Sequence, residues 1–253
     1  MNIVVLIKLV PDLVEELTID SGGASLDLTF ARWIINEFDD HALEQGILLK
    51  EKNGGMVTVI APDLEGADDV LFTAAAKDAD RLIKVRGDFS AANNHALARA
   101  FAAIIKELQP DLVLTGVQAH NDLDGSAGPL LAESLGLPYV GYVSGVAVND
   151  GKSAIRKEYP GGLIAEMEVT LPAVLGIQAA EQPPRYVAVS KVRQAMKTSS
   201  IEEMDASDLD PCGAPEIVRM FQPEATAHAE MIEGTPEEVS AKLVGLFKEL
   251  GVL

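Results

Sequence analysis

The sequence predicts an α/β fold: a doubly wound, mostly parallel sheet with an antiparallel hairpin addition and an extended C-terminal arm that ends in a helix. Three observations predict it. Short β-branched runs alternate with helical periods through the first half. After residue 138 strand-like runs follow one another across tight turns, with no helix between them. From residue 181 the chain becomes polar and rich in proline. Alternating β–α–β–α order calls for parallel strands, right-handed crossovers and helices on both faces. The expected division is an α/β domain over residues 1–180 and an arm with its helix over 181–253.

Ile3–Ile7 is an unbroken, β-branched-rich apolar run and reads as a buried strand; Val57–Ile60, Leu82–Val85 and Leu112–Leu114 repeat the pattern. Leu17–Asp20 and Ser25–Leu28 flank Ser21-Gly22-Gly23 and read as a hairpin. A glycine loop that grips phosphate would follow the first strand directly and open a helix. Here more than ten residues intervene and strand-like alternation follows, so a nucleotide-dependent transferase built on this loop is disfavoured. Trp33 reads as a packing anchor. Asp39–Lys50 has helical spacing, with Ala42, Leu43, Gly46 and Ile47 inward, Asp39 or Asp40 as cap, and His41 at the surface. Ser90 is the expected cap of the next helix, whose stripe is Leu97, Phe101, Ile104, Ile105 and Leu108.

Ala127–Leu135 is helical, with Leu130, Leu131 and Leu135 inward. The strands Val143–Asn149, Lys152–Tyr159 and Leu163–Thr170 are joined by Asn149-Asp150-Gly151 and Pro160-Gly161-Gly162 turns, and Val174–Gln178 follows Pro172. Residues 181–236 show little periodicity. A structureless stretch of ~50 residues is out of place inside a compact domain, so an arm that embraces a partner is the better reading. Thr235-Pro236-Glu237-Glu238 is a capping box with proline at the first helical position, and Val239, Leu243, Leu246, Phe247 and Leu250 form the stripe behind it.

The formal charge of −19 repels phosphate backbones and anionic membranes, which argues against nucleic acid and favours basic protein partners. No run approaches the ~18 apolar residues of a membrane span, so no stable membrane insertion is expected. One cysteine, Cys212, excludes an internal disulfide and a cysteine-ligated metal cluster. The four histidines lack ligand spacing, and no metal site is assigned. Met1–Val5 enters an apolar run without a basic region, so it reads as a strand and not a signal peptide; the expected compartment is bacterial cytoplasm. No nucleophile elbow, zinc motif or Walker A sequence is present, and no catalytic residue is assigned.

The chemistry-bearing candidate is Gly116 to Pro129, which leaves the Leu112–Leu114 strand and enters a helix. Gly125, Ser126, Ala127 and Gly128 are small enough to bring backbone N–H groups to a phosphate. An ordinary βα loop remains the alternative. Asp122, Asp124 and Glu133 oppose a highly charged polyphosphate, and the two aspartates read as solvated turn residues. His120 reads as an exposed loop residue.

Several stretches, in order, resemble the β subunit of electron transfer flavoprotein along essentially the whole chain. They are Ile3-Val4-Val5-Leu6-Ile7-Lys8-Leu9-Val10-Pro11-Asp12, Asn36 to Glu44, Ala74 to Arg81, Asp111 to Gln118 and Pro184-Arg185-Tyr186. The tail Glu230 to Thr235 resembles the subgroup that serves bacterial amine dehydrogenases. Asp78 stands where the family usually has glycine, and Ser126 where many members have glutamine.

The resemblance implies a Rossmann-like domain in a heterodimer with a larger α subunit that holds most of the redox-active FAD. It implies an electron carrier, not an enzyme with its own substrate: it accepts electrons from a flavin dehydrogenase and passes them to an acceptor. It also implies a bound adenine nucleotide, usually AMP, on Leu6, Asn36, Glu37, Phe38, Asp39, Ala61, Gly116, Gln118, Gly125, Ser126, Ala127 and Gly128. Val189 matches the family's leucine that plugs into partner dehydrogenases, a difference of one methylene or ~0.8 kcal/mol of burial. One alternative is a relative that holds a second FAD and splits electron pairs. The other is a stand-alone adenine-nucleotide-binding regulatory protein, against which the long arm argues.

Overall fold

The computed structural model describes residues 1–89, 92–149, 151–206, 209–223 and 229–253. The first apolar run forms β1 (Asn2–Leu6), followed by the short strands β2 (Leu9–Pro11), β3 (Thr18–Ile19), β4 (Leu26–Asp27) and β5 (Trp33–Ile35). Helix α1 (Glu37–Asn53), β6 (Met56–Pro62), α2 (Ala67–Ala76), β7 (Arg81–Arg86), α3 (Asn94–Leu108), β8 (Leu112–Gly116) and α4 (Ala127–Leu135) continue the alternation. Then come β9 (Tyr139–Asn149), β10 (Lys152–Tyr159), β11 (Leu163–Thr170), β12 (Ala173–Ile177), α5 (Val189–Thr198), β13 (Ile201–Asp205) and α6 (Pro236–Glu249).

Among the described residues nine strands form one sheet, in the order β11-β10-β9-β12-β8-β1-β6-β7-β13. Every pairing from β9 to β13 is parallel, and β9-β10-β11 is antiparallel. The strand period sorts β1 between two cores. Ile3, Val5 and Ile7 pack with α1 and α2 on one face, and Val4 and Leu6 pack with α3 and α4 on the other. β3 and β4 pair antiparallel around the Ser21-Gly22-Gly23 turn, so that glycine pair is a hairpin turn.

Several local expectations are corrected. Helix α1 begins two residues earlier than predicted, with Asn36 in the cap position and without a side-chain capping bond. Asp39, expected as a cap, lies inside the first turn, and its carboxylate is taken by the backbone amides of Lys8 and of Gly116 at the end of β8. Asn93 caps α3 by accepting from Ala96 N at 2.9 Å. Ser90, the expected cap, lies outside the described residues. His41 is half-buried, since its Nδ1 accepts the Ala180 N–H.

The segment after residue 181 is not one extended stretch. α5 packs on α2, and β13 adds to the sheet beside β7. Sequence period failed there because β13 is an edge strand held largely by charge. Arg81 pairs with Glu202, Lys84 with Glu203, and Arg86 with Asp205. Polar side chains of this kind are characteristic of edges. The capping box of α6 is present as predicted: Thr235 Oγ1 accepts from Glu238 N, and the Glu238 carboxylate accepts from Thr235 N. No residue of α6 is buried.

Candidate functional site

The strand order reverses between β1 and β8: the chain winds from β1 through β6 to β7, then returns to β8 on the other side of β1. Loops leaving such a switch point diverge and open a crevice at the carboxyl ends of the strands. A cleft lies there, lined by Leu6, Lys8, Asn36, Asp39, Thr115, Gly116, Gln118, Ala119, Asp122 and Ala127. Six of the predicted site residues therefore converge: Leu6, Asn36, Asp39, Gly116, Gln118 and Ala127.

The other six are placed differently. Glu37 is exposed and Phe38 half-buried in the first turn of α1; Ala61 is fully buried in β6. Gly125, Ser126 and Gly128 flank the start of α4 without lining the cleft. Wider grooves beside α2 and beside the β3–β4 hairpin contain none of the predicted residues.

The floor of the cleft is a close approach of β8 to α1. A methyl group on Gly116 would sit 2.6 Å from Asp39 Oδ1 and 2.8 Å from Asp39 N. Only glycine lets the strand end reach the helix start. Asp39 ties the two together: Oδ1 accepts from Gly116 N at 2.6 Å, and Oδ2 accepts from Lys8 N at 2.9 Å. Its burial pushes its pKa up to about 6, against the opposing pull of those amides. Asn36 Nδ2 donates to Gln118 O at 2.9 Å, which holds the Gly116–Pro129 loop over the same floor.

The acids of that loop are not solvated, contrary to expectation. Asp122 pairs with Lys8 at 2.7 Å, and their side chains are only 10% and 15% exposed. Asp122 also accepts from Asn94 Nδ2 at 2.8 Å and from Ala119 N at 2.8 Å. Asn94 binds on through its amide, accepting from Lys8 Nζ at 2.9 Å and donating to Gly125 O at 2.6 Å. Asp124 accepts from Asn94 N at 2.9 Å, at the positive end of α3. Both carboxylates are thus compensated inside the protein. Sequence reasoning missed Lys8 and Asn94, which lie 114 and 28 residues from Asp122. The lysine directly after the first strand run was the available signal.

Two features of this narrow cleft bear on ligand binding. Ser126 occupies the α4 cap position without a side-chain capping bond, so the first-turn amides are free of a side-chain partner. Thr115 Oγ1, in the cleft lining, is buried without a hydrogen-bond partner. An unpaired buried hydroxyl is costly and calls for a partner. Gly128 carries no side chain where a Cβ would fall 2.7 Å from that oxygen.

Comparison with known proteins agrees with this architecture. The family model for the electron transfer flavoprotein domain matches residues 28–209. The electron transfer flavoprotein subunit beta of Methylophilus methylotrophus is 32% identical, with 98% of each chain covered. The chain belongs to the electron transfer flavoprotein beta-subunit family. The subunit beta of Clostridium acetobutylicum is 34% identical, again over 98% of each chain, and that of Bacillus subtilis 29% over 98% of each. These similar identities do not single out a subgroup.

Members of this family work in electron transfer, generally as carriers, and bind flavin and adenine nucleotides; a beta subunit implies an alpha partner. Among the described residues no helix is long and apolar enough to cross a membrane. The ending of α2 is instructive. Asp78 has φ +87°, in the left-handed region, one residue beyond the cap of α2. Its N–H bonds to Ala75 O and that of Ala79 to Ala74 O, the paired bonds of a Schellman ending. Val189, the predicted docking residue, opens α5 and is 61% exposed.

Proposed function

We propose that this chain is one half of a bacterial cytoplasmic heterodimer that accepts electrons from a flavin dehydrogenase and passes them to an acceptor. The α partner holds most of the FAD, and the cleft between β1 and β8 holds a structural AMP. The carrying observation is the cleft itself: an α4 start without a side-chain cap, an unpartnered Thr115 hydroxyl, and neighbouring acids already neutralised by Lys8 and α3.

The donors of these residues are of the kind an adenine nucleotide would use. The phosphate belongs at the Ala127 and Gly128 amides, and Asn36, Asp39 and Gly116 shape the wall. A nucleotide that binds only the folded chain stabilises it by mass action, which suits a structural role. Flavin, when bound by the pair, supplies the electron chemistry; this chain's part is to bind, shape and dock.

The C-terminal segment, residues 181–253, supplies the partner contacts. α5 packs on α2 and β13 joins the sheet, while Pro211 and Cys212 bond to α3 and Met220 N donates to Gly23 O in the β3–β4 turn. Val218 and Phe221 are largely exposed, as is the Leu243, Leu246, Phe247 and Leu250 stripe of α6. An amphipathic helix with no buried residue is expected to find its cover on another chain. Val189 is the proposed contact for the dehydrogenase.

The test is native purification of the chain co-expressed with its α partner, followed by mass spectrometry of the small molecules released on denaturation. One FAD and one AMP per heterodimer is the expected result. Two FAD and no AMP would move the protein to the electron-splitting class. A stable monomer without flavin would leave the regulatory-protein reading.

A further inference from the structure

Between β12 and α5 the chain runs as a strap along one side of α1. Ala180 N donates to His41 Nδ1 at 3.3 Å, and Glu181 N donates to Gln45 Oε1 at 3.0 Å. Glu181 also pairs with Lys52 at 2.5 Å. The strongest fastening is Arg185. Its backbone N and Nε both donate to Glu44 at 2.9 Å, and Nη2 reaches Glu44 Oε1 at 2.8 Å. Nη1 donates to Glu51 Oε1 at 2.7 Å. The α1 partners are spaced by three, four and seven residues, so they share one flank of the helix.

Two features set this clamp apart from an ordinary surface ion pair. The Glu44 side chain is only 2% exposed, so it is committed to Arg185. The guanidinium holds two carboxylates at once, a fork that a lysine cannot reproduce. Glu51 is held below the usual carboxylate range, chiefly by its hydrogen bond from Arg185.

The clamp lies four residues before Val189, the first residue of α5. Although α5 packs on α2, among the described residues no hydrogen bond or ion pair ties residues 186–192 to another element. Tyr186 and Val189 are 89% and 61% exposed, and the one buried residue of α5 is Ala195, near its far end. The start of α5 is therefore located mainly by where Arg185 meets α1.

We propose that Arg185 is a positioning residue for docking: clamped between Glu44 and Glu51, it fixes where α5 leaves α1 and so presents Tyr186 and Val189 to the partner dehydrogenase. The presentation rests on the docking reading of Val189. The positioning of α5 does not.

The test uses the purified heterodimer with Arg185→Gln, Arg185→Lys, Glu51→Gln and Val189→Ala. Hydrogen exchange followed by mass spectrometry reads the α5 amides. Reduction of the bound flavin is followed against the concentration of whichever purified flavin dehydrogenase, from a panel, reduces the parent fastest. Arg185→Gln is expected to speed exchange at the start of α5 at least tenfold while β12 stays protected. It is also expected to raise the half-saturating dehydrogenase concentration at least fivefold with the limiting rate unchanged. Arg185→Lys and Glu51→Gln should fall between, and Glu51→Gln keeps the bond to buried Glu44 should Arg185→Gln fail to fold.

Adding Val189→Ala to Arg185→Gln should weaken docking less than twofold further. A lower unfolding midpoint with unchanged α5 exchange and unchanged half-saturation would overturn the proposal, leaving a purely structural ion pair. If Val189→Ala alone has no effect on half-saturation, the docking reading fails, and α5 exchange still decides whether Arg185 positions the helix.

Discussion

Replacing Gly116 by alanine tests the geometry on which the nucleotide site depends. The added methyl would lie 2.6 Å from Asp39 Oδ1, 2.8 Å from Asp39 N and 2.8 Å from Phe38 C. Each distance is more than half an ångström inside the 3.4 Å at which ordinary contact begins. None of the obstructing atoms is a free side-chain tip. Two are backbone in the first turn of α1, and the carboxylate is tethered by Lys8 N and by Gly116 N itself.

Relief requires parting β8 from α1, which also breaks the Asp39–Gly116 bond. Overpacking of this kind costs about 1–3 kcal/mol. A lost hydrogen bond to a buried charged group costs roughly 1.5–3 kcal/mol. Both arise from one movement and do not add fully, so the expected loss is about 2–4 kcal/mol. The same movement shifts the cleft wall, and retained nucleotide should fall well below one per heterodimer.

Thermal unfolding with and without added AMP, together with chromatography of the released nucleotide, measures both effects. Gly125→Ala is the control. It has nothing within 4 Å of its added methyl and only its φ of +99° to oppose the change, so it should lose on the order of 1 kcal/mol. A Gly116→Ala protein within about 0.5 kcal/mol of the parent and with full nucleotide would refute the close-approach argument.

Three further outcomes are expected. Asp78→Gly relieves the left-handed strain at φ +87° and should raise stability by about 1 kcal/mol; a lower unfolding midpoint would contradict the Schellman assignment. Asp39 has a folded pKa of about 6 against an ordinary 3.8. The folded state therefore binds more protons between those values, and the contribution of Asp39 to stability falls as pH rises from about 4 through 6, then stays level. The stability of Asp39→Asn relative to the parent should accordingly improve by on the order of 1–2 kcal/mol between pH 4.5 and 7.5, and denaturant melts showing a pH-independent difference would count against it. Lys8→Met strips Asp122 of its cation and should cost about 1–3 kcal/mol and loosen nucleotide retention, with Lys8→Arg milder; unchanged melting and nucleotide content would show the pair to be idle.

Local chemistry determined much of this protein by itself. Runs such as Ile3–Ile7 read as buried strands, the turns at residues 149–151 and 160–162 as joins between neighbouring strands, and Thr235–Glu238 as a helix start. Each signal lies within a few residues, where sterics and backbone hydrogen bonding act directly. The small-residue loop after β8 also pointed to the cleft, because strand, loop and helix start are contiguous.

Tertiary structure decided what depends on residues far apart in sequence. Asp122 looked like a turn residue until Lys8 and Asn94 were brought beside it. Asp39 looked like a cap until Lys8 and Gly116 amides claimed its carboxylate. Residues 201–205 became a strand because β7 offered an edge with arginines and lysine facing their acids. Burial of α1 committed Glu44 to Arg185, 141 residues away along the chain. Partners at such separations leave no periodicity to read; they acquire their meaning only when folding removes the water that would otherwise solvate each charge.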